Sequence, residues 1–180
     1  SDVGMVKVVN GDLANDVGNI LSRIRKQVIT QFEGKVPALP ETLSYASKEL
    51  KTKAESVLSE VPNQMRLFRV SFALEETMSL ARAINSYLES TAPWKLAKDE
   101  AKRQELGEVL AVSSEALRIL LVLLSPYIPK KASEALSLLG GESAVPGKLA
   151  WGLLPAGVEF VDGPVLFPRR EVKKPEADKP

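Results

Sequence analysis

The most informative property of this 180-residue chain is what it lacks, since it contains no cysteine and no histidine. Without cysteine there is neither a disulfide framework nor a thiolate metal site. Without histidine there is no imidazole acid–base chemistry, no Ser-His-Asp or Cys-His nucleophile, and no Glu-x-x-His di-iron motif. An enzyme built from this sequence would have to work with carboxylates, lysine, arginine, serine and tyrosine alone.

An excess of one charge and a long apolar run are also missing. Lysine and arginine total 24 and aspartate and glutamate 23, so any basic surface must be local. The longest apolar run, "ILLVLL", is far shorter than a membrane span, and the first residues, "SDVGMVKVV", have no signal-peptide layout. We therefore expect no membrane partner, no bound metal, and a cytoplasmic or organellar location. The chain does not begin with methionine, which is expected of a fragment or a processed product.

What the sequence has in plenty is helical periodicity. Apolar residues recur at steps of three and four along four stretches, which predicts four long amphipathic helices. These stretches cover about residues 6–32, 41–60, 65–90 and 101–124, and one short helix ends at Gly140. Pro62 is expected to break the chain before the third helix. That helix is expected to be central, because Phe68 and Phe72 widen its apolar face.

The composition changes after Gly141, where glycine and proline become frequent and the helical period stops. We expect an extended segment that lies over the bundle. Its apolar contacts would come from Trp151, Leu153, Leu154, Phe160, Val165, Leu166 and Phe167. The sequence thus predicts an all-α antiparallel bundle of about five helices with this segment packed on it (residues 1–168), and then a charged linker or loose tail (residues 169–180).

Two features are candidates for function, and the first lies on the first helix. Asn15, Asn19 and Arg23 follow one another at intervals of four, so they stack along one face. Arg25 and Lys26 accompany Arg23, and no acidic residue adjoins them in the sequence. The row is either an ordinary solvated face or a rigid set of amides and a guanidinium that hydrogen-bonds a planar ligand or a base edge.

The second feature is "INSYLESTAPW", at the expected end of the third helix. Pro93 restricts the backbone just before Trp94. A tryptophan near a helix end is often a lid over the core. The polar flanks, which include Lys95 and Lys98, instead favour a wet site in which the ring stacks on a nucleobase.

Taken together and in this order, these segments resemble the anticodon-binding domain of methionyl-tRNA synthetases. "GDLANDVGNILSR" is similar to the opening helix of that family, with its D-L-A-N-x-x-G-N-x-x-x-R run. "AINSYLESTAPWKLAK" resembles the family's N-x-Y and P-W-x-L-A-K segment, and "LLVLLSPYIPKKASEALSLLG" resembles its late helix. "LFPRRE" looks like the point where the synthetase body ends. The resemblance covers nearly all of residues 1–170 and is weakest at 38–62.

The resemblance implies that the bundle binds tRNA(Met) by recognising the CAU anticodon, whose bases turn outward. The positions matching the family's anticodon-binding residues are Asn19, Arg23, Pro93 and Trp94, with Asn15 and Asn85 in supporting positions. The paired donors of Arg23 suit O2 and N3 of cytosine, and the Asn19 carbonyl suits its amino group. Trp94 is assigned the stacking role, as unpaired RNA bases are commonly read in this way.

The chain departs from the family in lacking the catalytic motifs. It has no "HIGH"-type and no "KMSKS"-type sequence, so it is expected to be the anticodon-binding part of a methionine–tRNA ligase. It would use no cofactor itself, whereas the parent enzyme, with its catalytic domain in cis or in trans, would use ATP and magnesium. Whether this chain alone is an enzyme stays open. The alternatives are a helical protein–protein interaction module and the anticodon bundle of a sibling class I synthetase.

Overall fold

Six α-helices, with a short 3-10 helix at Glu100–Lys102 before the fifth, lie in the part of the chain that the computed structural model describes, residues 16–140 and 149–163. They are α1 (Gly18–Phe32), α2 (Tyr45–Arg66), α3 (Val70–Thr91), α4 (Pro93–Leu96), α5 (Arg103–Leu124) and α6 (Pro129–Leu138). The predicted all-α bundle of four long helices and one short one is confirmed, and the single-turn α4 is an addition. Residues 1–15, with Asn15 and the first part of the predicted first helix, lie outside the described residues.

The centre of the bundle is α5, which contacts every other helix. Nearly all of its residues from Leu106 to Leu124 are buried. A helix with neighbours on several sides is buried on every side, and the buried residues of α5 lie all round the helix. The prediction that the third helix is central was therefore wrong. Phe68 and Phe72, which suggested it, are 91% and 66% exposed.

Pro62 does not break the chain, so this prediction was also wrong. Helix α2 continues through Pro62 and ends at Arg66. Proline has a helical φ, and its cost is one lost hydrogen bond and a clash with the preceding turn. The burial of Val57 and Val61, both in the turns that precede Pro62, outweighs that cost. The change of direction comes later, at Phe68, whose φ of 56° lies in the left-handed region.

The extended segment, residues 149–163, lies on the bundle as predicted. Leu154 and Phe160 are buried in the core, and Trp151 packs against it. An isolated antiparallel bridge joins Glu159 to Lys35, in the loop after α1. Val165, Leu166, Phe167 and the tail at residues 169–180 lie outside the described residues, so the boundary at residue 168 stays a prediction.

Candidate nucleic-acid interface

The backbone at the end of α3 determines where Trp94 lies. Helix α3 ends at Thr91, and Ala92 adopts a left-handed conformation with a φ of 45° while its N–H donates to the Leu88 carbonyl. Pro93 then opens α4, where its missing N–H is not needed. Pro93 is buried and Trp94 is half-buried. This turn therefore holds the indole beside the helix end, partly exposed to solvent.

Arg23 on α1 reaches both Trp94 and the end of α3. Its Nη1 donates to Glu89 Oε1 at 2.6 Å, and its guanidinium carbon lies 5.6 Å from the centroid of the Trp94 ring. The Arg23 side chain is 41% exposed. A guanidinium within about 6 Å of an indole face is attracted by the negative charge of that face. Arg23, Glu89 and Trp94, which come from three helices, form one surface site that we call the Arg23 cluster.

The two described amides predicted for the site flank this cluster. Asn19 is exposed and precedes Arg23 by one turn, so both lie on the same side of α1. Asn85 is half-buried and precedes Glu89 by one turn of α3. Asn19 and Asn85 thus lie one helical turn from Arg23 and from Glu89, the two charged residues of the cluster.

The charge around Arg23 differs in two ways from what the neighbouring sequence indicates. Arg25 was counted with the positive surface, but it is buried and its Nη2 donates to the Val161 carbonyl at 2.6 Å. No acidic residue adjoins Arg23 in the sequence, but in the fold Glu89 contacts it directly. Sequence analysis missed Glu89 because it is 66 positions away. Its spacing of four from Asn85 was the available signal.

Lysines still make the region around the cluster positive. Lys26 is exposed one turn after Arg23, and Lys95 and Lys98 are exposed on either side of the end of α4. Long cationic side chains of this kind suit phosphate groups, which carry no sequence information. Positive charge at the rim and a planar indole at the centre are the features that suit a single-stranded nucleic acid.

A buried hydrogen bond supports the end of α3 that carries Glu89. The Tyr87 hydroxyl lies 2.8 Å from Ser47 Oγ on α2, and both residues are buried. Burial raises the pKa of Tyr87 to about 12. Tyr87 is therefore a neutral structural link between α2 and α3 and not an acid or base for chemistry at neutral pH.

Residues 16–140 and 149–163 show neither a metal-binding group of acidic side chains nor a membrane-spanning helix. These residues hold no group of three or more aspartate or glutamate side chains placed to bind a metal ion. None of their helices is long and apolar enough to cross a membrane.

The fold and the Arg23 cluster define a class: an all-α bundle that carries a partly exposed indole, a guanidinium and a carboxylate grouped at one surface site. The chain belongs to the family of anticodon-binding domains of methionyl-tRNA ligase, whose pattern matches residues 36–177. The match includes Glu89, Pro93 and Trp94 and begins after α1. The resemblance seen in the sequence is thereby confirmed.

Full-length relatives extend the similarity across α1. The chain is 36% identical over 173 residues to a methionine–tRNA ligase of Deinococcus radiodurans. The aligned region covers 96% of this chain and 25% of that protein. It is 38% identical over 169 residues to the methionine–tRNA ligase of Clostridium tetani, covering 93% and 26% of the two chains. The chain therefore spans about a quarter of the length of these relatives.

Solved structures agree with this assignment. The apo crystal structure of Mycobacterium tuberculosis methionyl-tRNA synthetase superposes with a TM-score of 0.81 and 28% sequence identity, covering 94% of this chain and 34% of that chain. The form of that enzyme bound by methionyl-adenylate superposes with a TM-score of 0.80. The bundle and the extended segment thus have the fold of part of a larger synthetase.

Proposed function

We propose that this chain binds tRNA(Met) by recognising its CAU anticodon, as the anticodon-binding part of a methionine–tRNA ligase. The observation that carries the proposal is the position of the Arg23 guanidinium above a half-exposed Trp94 ring. Sequence-specific RNA recognition targets unpaired bases, which stack on aromatic side chains and expose their edges to hydrogen-bonding groups. The Arg23 cluster offers both kinds of group within one site.

Trp94 is the stacking platform in this proposal. A base lying flat on the indole would place its edge near the Arg23 guanidinium, whose carbon lies 5.6 Å from the ring centroid. Stacking of one base on an aromatic side chain contributes about 1–3 kcal/mol and is tolerant of sequence. Trp94 therefore supplies affinity, and the choice of base has to come from hydrogen bonds.

Arg23, Asn19 and Glu89 supply that choice. Cytosine presents two neighbouring acceptors, O2 and N3, which suit the fork of donors on Arg23. Its amino group needs an acceptor, which the Asn19 carbonyl or the Glu89 carboxylate provides; carboxylates are known partners of that amino group. Uracil presents a carbonyl oxygen at the same position, and a carboxylate repels it. The cluster thus favours cytosine as the first anticodon base.

The length of the relatives supports a role within a larger enzyme. Proteins named methionine–tRNA ligase are about four times as long as this chain. The catalytic part, in cis or in trans, would bring ATP and magnesium. A ligase of this kind works where translation takes place, which for this chain is the cytoplasm or an organelle.

The test is titration of the chain with two anticodon stem-loops that differ only in the first anticodon base, CAU and UAU. Each polar group left unpaired by the wrong base costs about 1–3 kcal/mol, so CAU should bind roughly tenfold or more tightly. Arg23→Ala should remove most of this difference. Arg66→Ala, which removes the same charge from an exposed position at the far end of α2, is the matched control.

Two outcomes would contradict the proposal. An equal loss of affinity for both stem-loops in Arg23→Ala would reduce Arg23 to a phosphate contact. Binding that is indifferent to salt would exclude phosphate neutralisation, since RNA affinity falls steeply as salt rises. That result would favour a protein–protein interaction module acting through the exposed apolar side chains near the α2–α3 turn: Met65, Leu67, Phe68 and Phe72.

A further inference from the structure

The extended segment is anchored at its beginning by a buried ion pair on α5. Arg118 donates from Nε and Nη2 to the two carboxylate oxygens of Glu115, each at 2.8 Å, and both side chains are almost fully buried. Glu115 also accepts the backbone N–H groups of residues 152, 153 and 154 at 2.7, 3.0 and 3.2 Å. Arg118 donates to the Ala150 carbonyl at 2.8 Å. The two charges together fix this backbone to the central helix.

At its other end the segment is bonded to α1 and to the loop that follows it. Val36 donates to the Val158 carbonyl at 2.9 Å, and Phe160 donates to the Gly34 carbonyl at 2.6 Å. The buried Arg25 then donates to the Val161 carbonyl at 2.6 Å. The segment therefore links the central helix to α1 by hydrogen bonds at both ends, and Leu154 and Phe160 add buried apolar contacts.

The two arginines of α1 lie on opposite sides of the helix. Residues two positions apart are rotated by about 200° in an α-helix, so Arg25 faces the extended segment while Arg23 faces the cluster. Helix α1 packs chiefly against α5 and touches α3 less. The position of α1 relative to Glu89 and Trp94 thus depends on the contacts of the face of α1 that carries Arg25.

We propose that the extended segment is a brace that sets the position of α1, and that Arg25 and Glu115 are positioning residues for the Arg23 cluster. The consequence for RNA binding rests on the function proposed above. Groups that recognise a ligand by hydrogen bonds must be held within about 0.5 Å of their productive geometry. A brace on the far side of α1 gives that precision to Arg23 without touching the bound base.

The first test reads the geometry of the cluster without RNA. The chain has two tryptophans, so a Trp151→Phe background leaves Trp94 as the reporter. In that background, Arg25→Gln should shift the Trp94 emission and its quenching by acrylamide towards the values of Arg23→Gln. Arg25→Lys keeps a charged donor and should restore most of the original signal. The matched control Arg66→Gln should leave the spectrum unchanged.

The second test reads discrimination between the CAU and UAU stem-loops. Arg25→Gln should lower the ratio of the two affinities by roughly threefold to tenfold, a typical size for an effect transmitted through an intermediate residue. Arg66→Gln should leave the ratio unchanged. If the starting chain shows no discrimination at all, the proposed function fails, while the Trp94 signal still decides whether the brace exists.

A third variant covers the case in which circular dichroism shows that Arg25→Gln does not fold. Gly157 has a φ of +77° and open space around its Cα, and its N–H donates to the Val36 carbonyl. Gly157→Val strains this exposed turn of the segment without touching α1, and it should shift both readouts in the same direction by a smaller amount. The brace is overturned if the folded variants keep the Trp94 spectrum and the discrimination ratio of the starting chain.

Discussion

At the scale of single residues, Trp94 shows how backbone conformation decides the use of a side chain. Trp151 packs against the hydrophobic core, whereas Trp94 follows a left-handed Ala92 and a Pro93 that begins a new helix. An L-residue adopts that left-handed conformation at a cost of about 1–2 kcal/mol. The cost is tolerated here because it turns the chain and holds the indole beside Arg23. A half-buried ring of this kind can be removed with little effect on the fold.

Trp94→Ala should therefore weaken binding of a CAU anticodon stem-loop by roughly 1–3 kcal/mol, since one stacked base is lost. The melting temperature should change little. Phe72→Ala removes another exposed aromatic, at the opposite end of α3, and should leave the affinity unchanged. Unaltered RNA binding in a folded Trp94→Ala variant would remove the indole from the site.

Tyr87 gives the stability of the chain a dependence on alkaline pH. Burial raises its pKa from 10 to about 12, so the folded state holds the proton more tightly than the unfolded state does. The free energy of unfolding should fall by about 2–3 kcal/mol from this group as the pH rises from about 10 to 12. Urea unfolding at pH 9 to 12 measures the slope.

The control for this prediction is Tyr87→Phe, which is less stable at neutral pH because it loses the contact with Ser47. Its stability should fall less steeply with pH. Tyr45 and Tyr127, whose pKa values are also raised, are present in both proteins and cancel in the comparison. Equal slopes for the two proteins would show that folding does not raise the pKa of Tyr87.

At the scale of elements, α2 shows packing overriding a local preference. Pro62 is exposed within the helix and lacks the N–H that its turn requires, while its neighbours Val57 and Val61 are buried. The strained turn remains helical because breaking it would expose those valines. The helix therefore continues through Pro62 at a cost in stability, which replacing the proline should remove.

Pro62→Ala should raise the free energy of unfolding by about 1–3 kcal/mol, since a proline in a helix interior costs about 3 kcal/mol relative to alanine. Denaturant unfolding measures the change. Pro155→Ala, in the exposed extended segment, is the matched control and should not stabilise the chain. A fall in stability on Pro62→Ala would show that the bundle is shaped around the proline.

At the scale of the whole molecule, the buried pair of Glu115 and Arg118 joins the extended segment to the bundle. Removing one partner of a buried pair leaves the other charge uncompensated, which is far more costly than removing a surface pair. The three backbone N–H groups bonded to Glu115 belong to the segment, so damage to the pair also loosens the segment.

Arg118→Met should therefore lower the free energy of unfolding by about 3–5 kcal/mol. Lys131→Met breaks the exposed pair with Glu134 on α6 and should change the free energy of unfolding by less than about 1 kcal/mol. Thermal or urea unfolding of both variants measures the difference. Similar small losses in the two variants would mean that water replaces Arg118 and that the pair does not hold the segment.

Much of the candidate site was predictable because its residues lie in short local patterns. Arg23 and Asn19 stand at helical spacing, and Trp94 follows a proline at a helix end. Glu89 was missed because it meets Arg23 only when α1 and α3 are packed side by side. Arg25 was misjudged for the same reason, since its partner Val161 is 136 positions away. Their anticodon-binding roles stay predictions until the titrations are made.

The sequence by itself determined the class of fold, the approximate positions of its long helices and the family, because periodicity and motif spacing are local and act wherever the chain folds. Only the tertiary structure decided which helix is central, whether Pro62 ends α2, and which charges meet at the Arg23 cluster. These outcomes depend on the burial of side chains between elements distant in sequence. No local pattern records such contacts, and their energies exceed the local preferences they override.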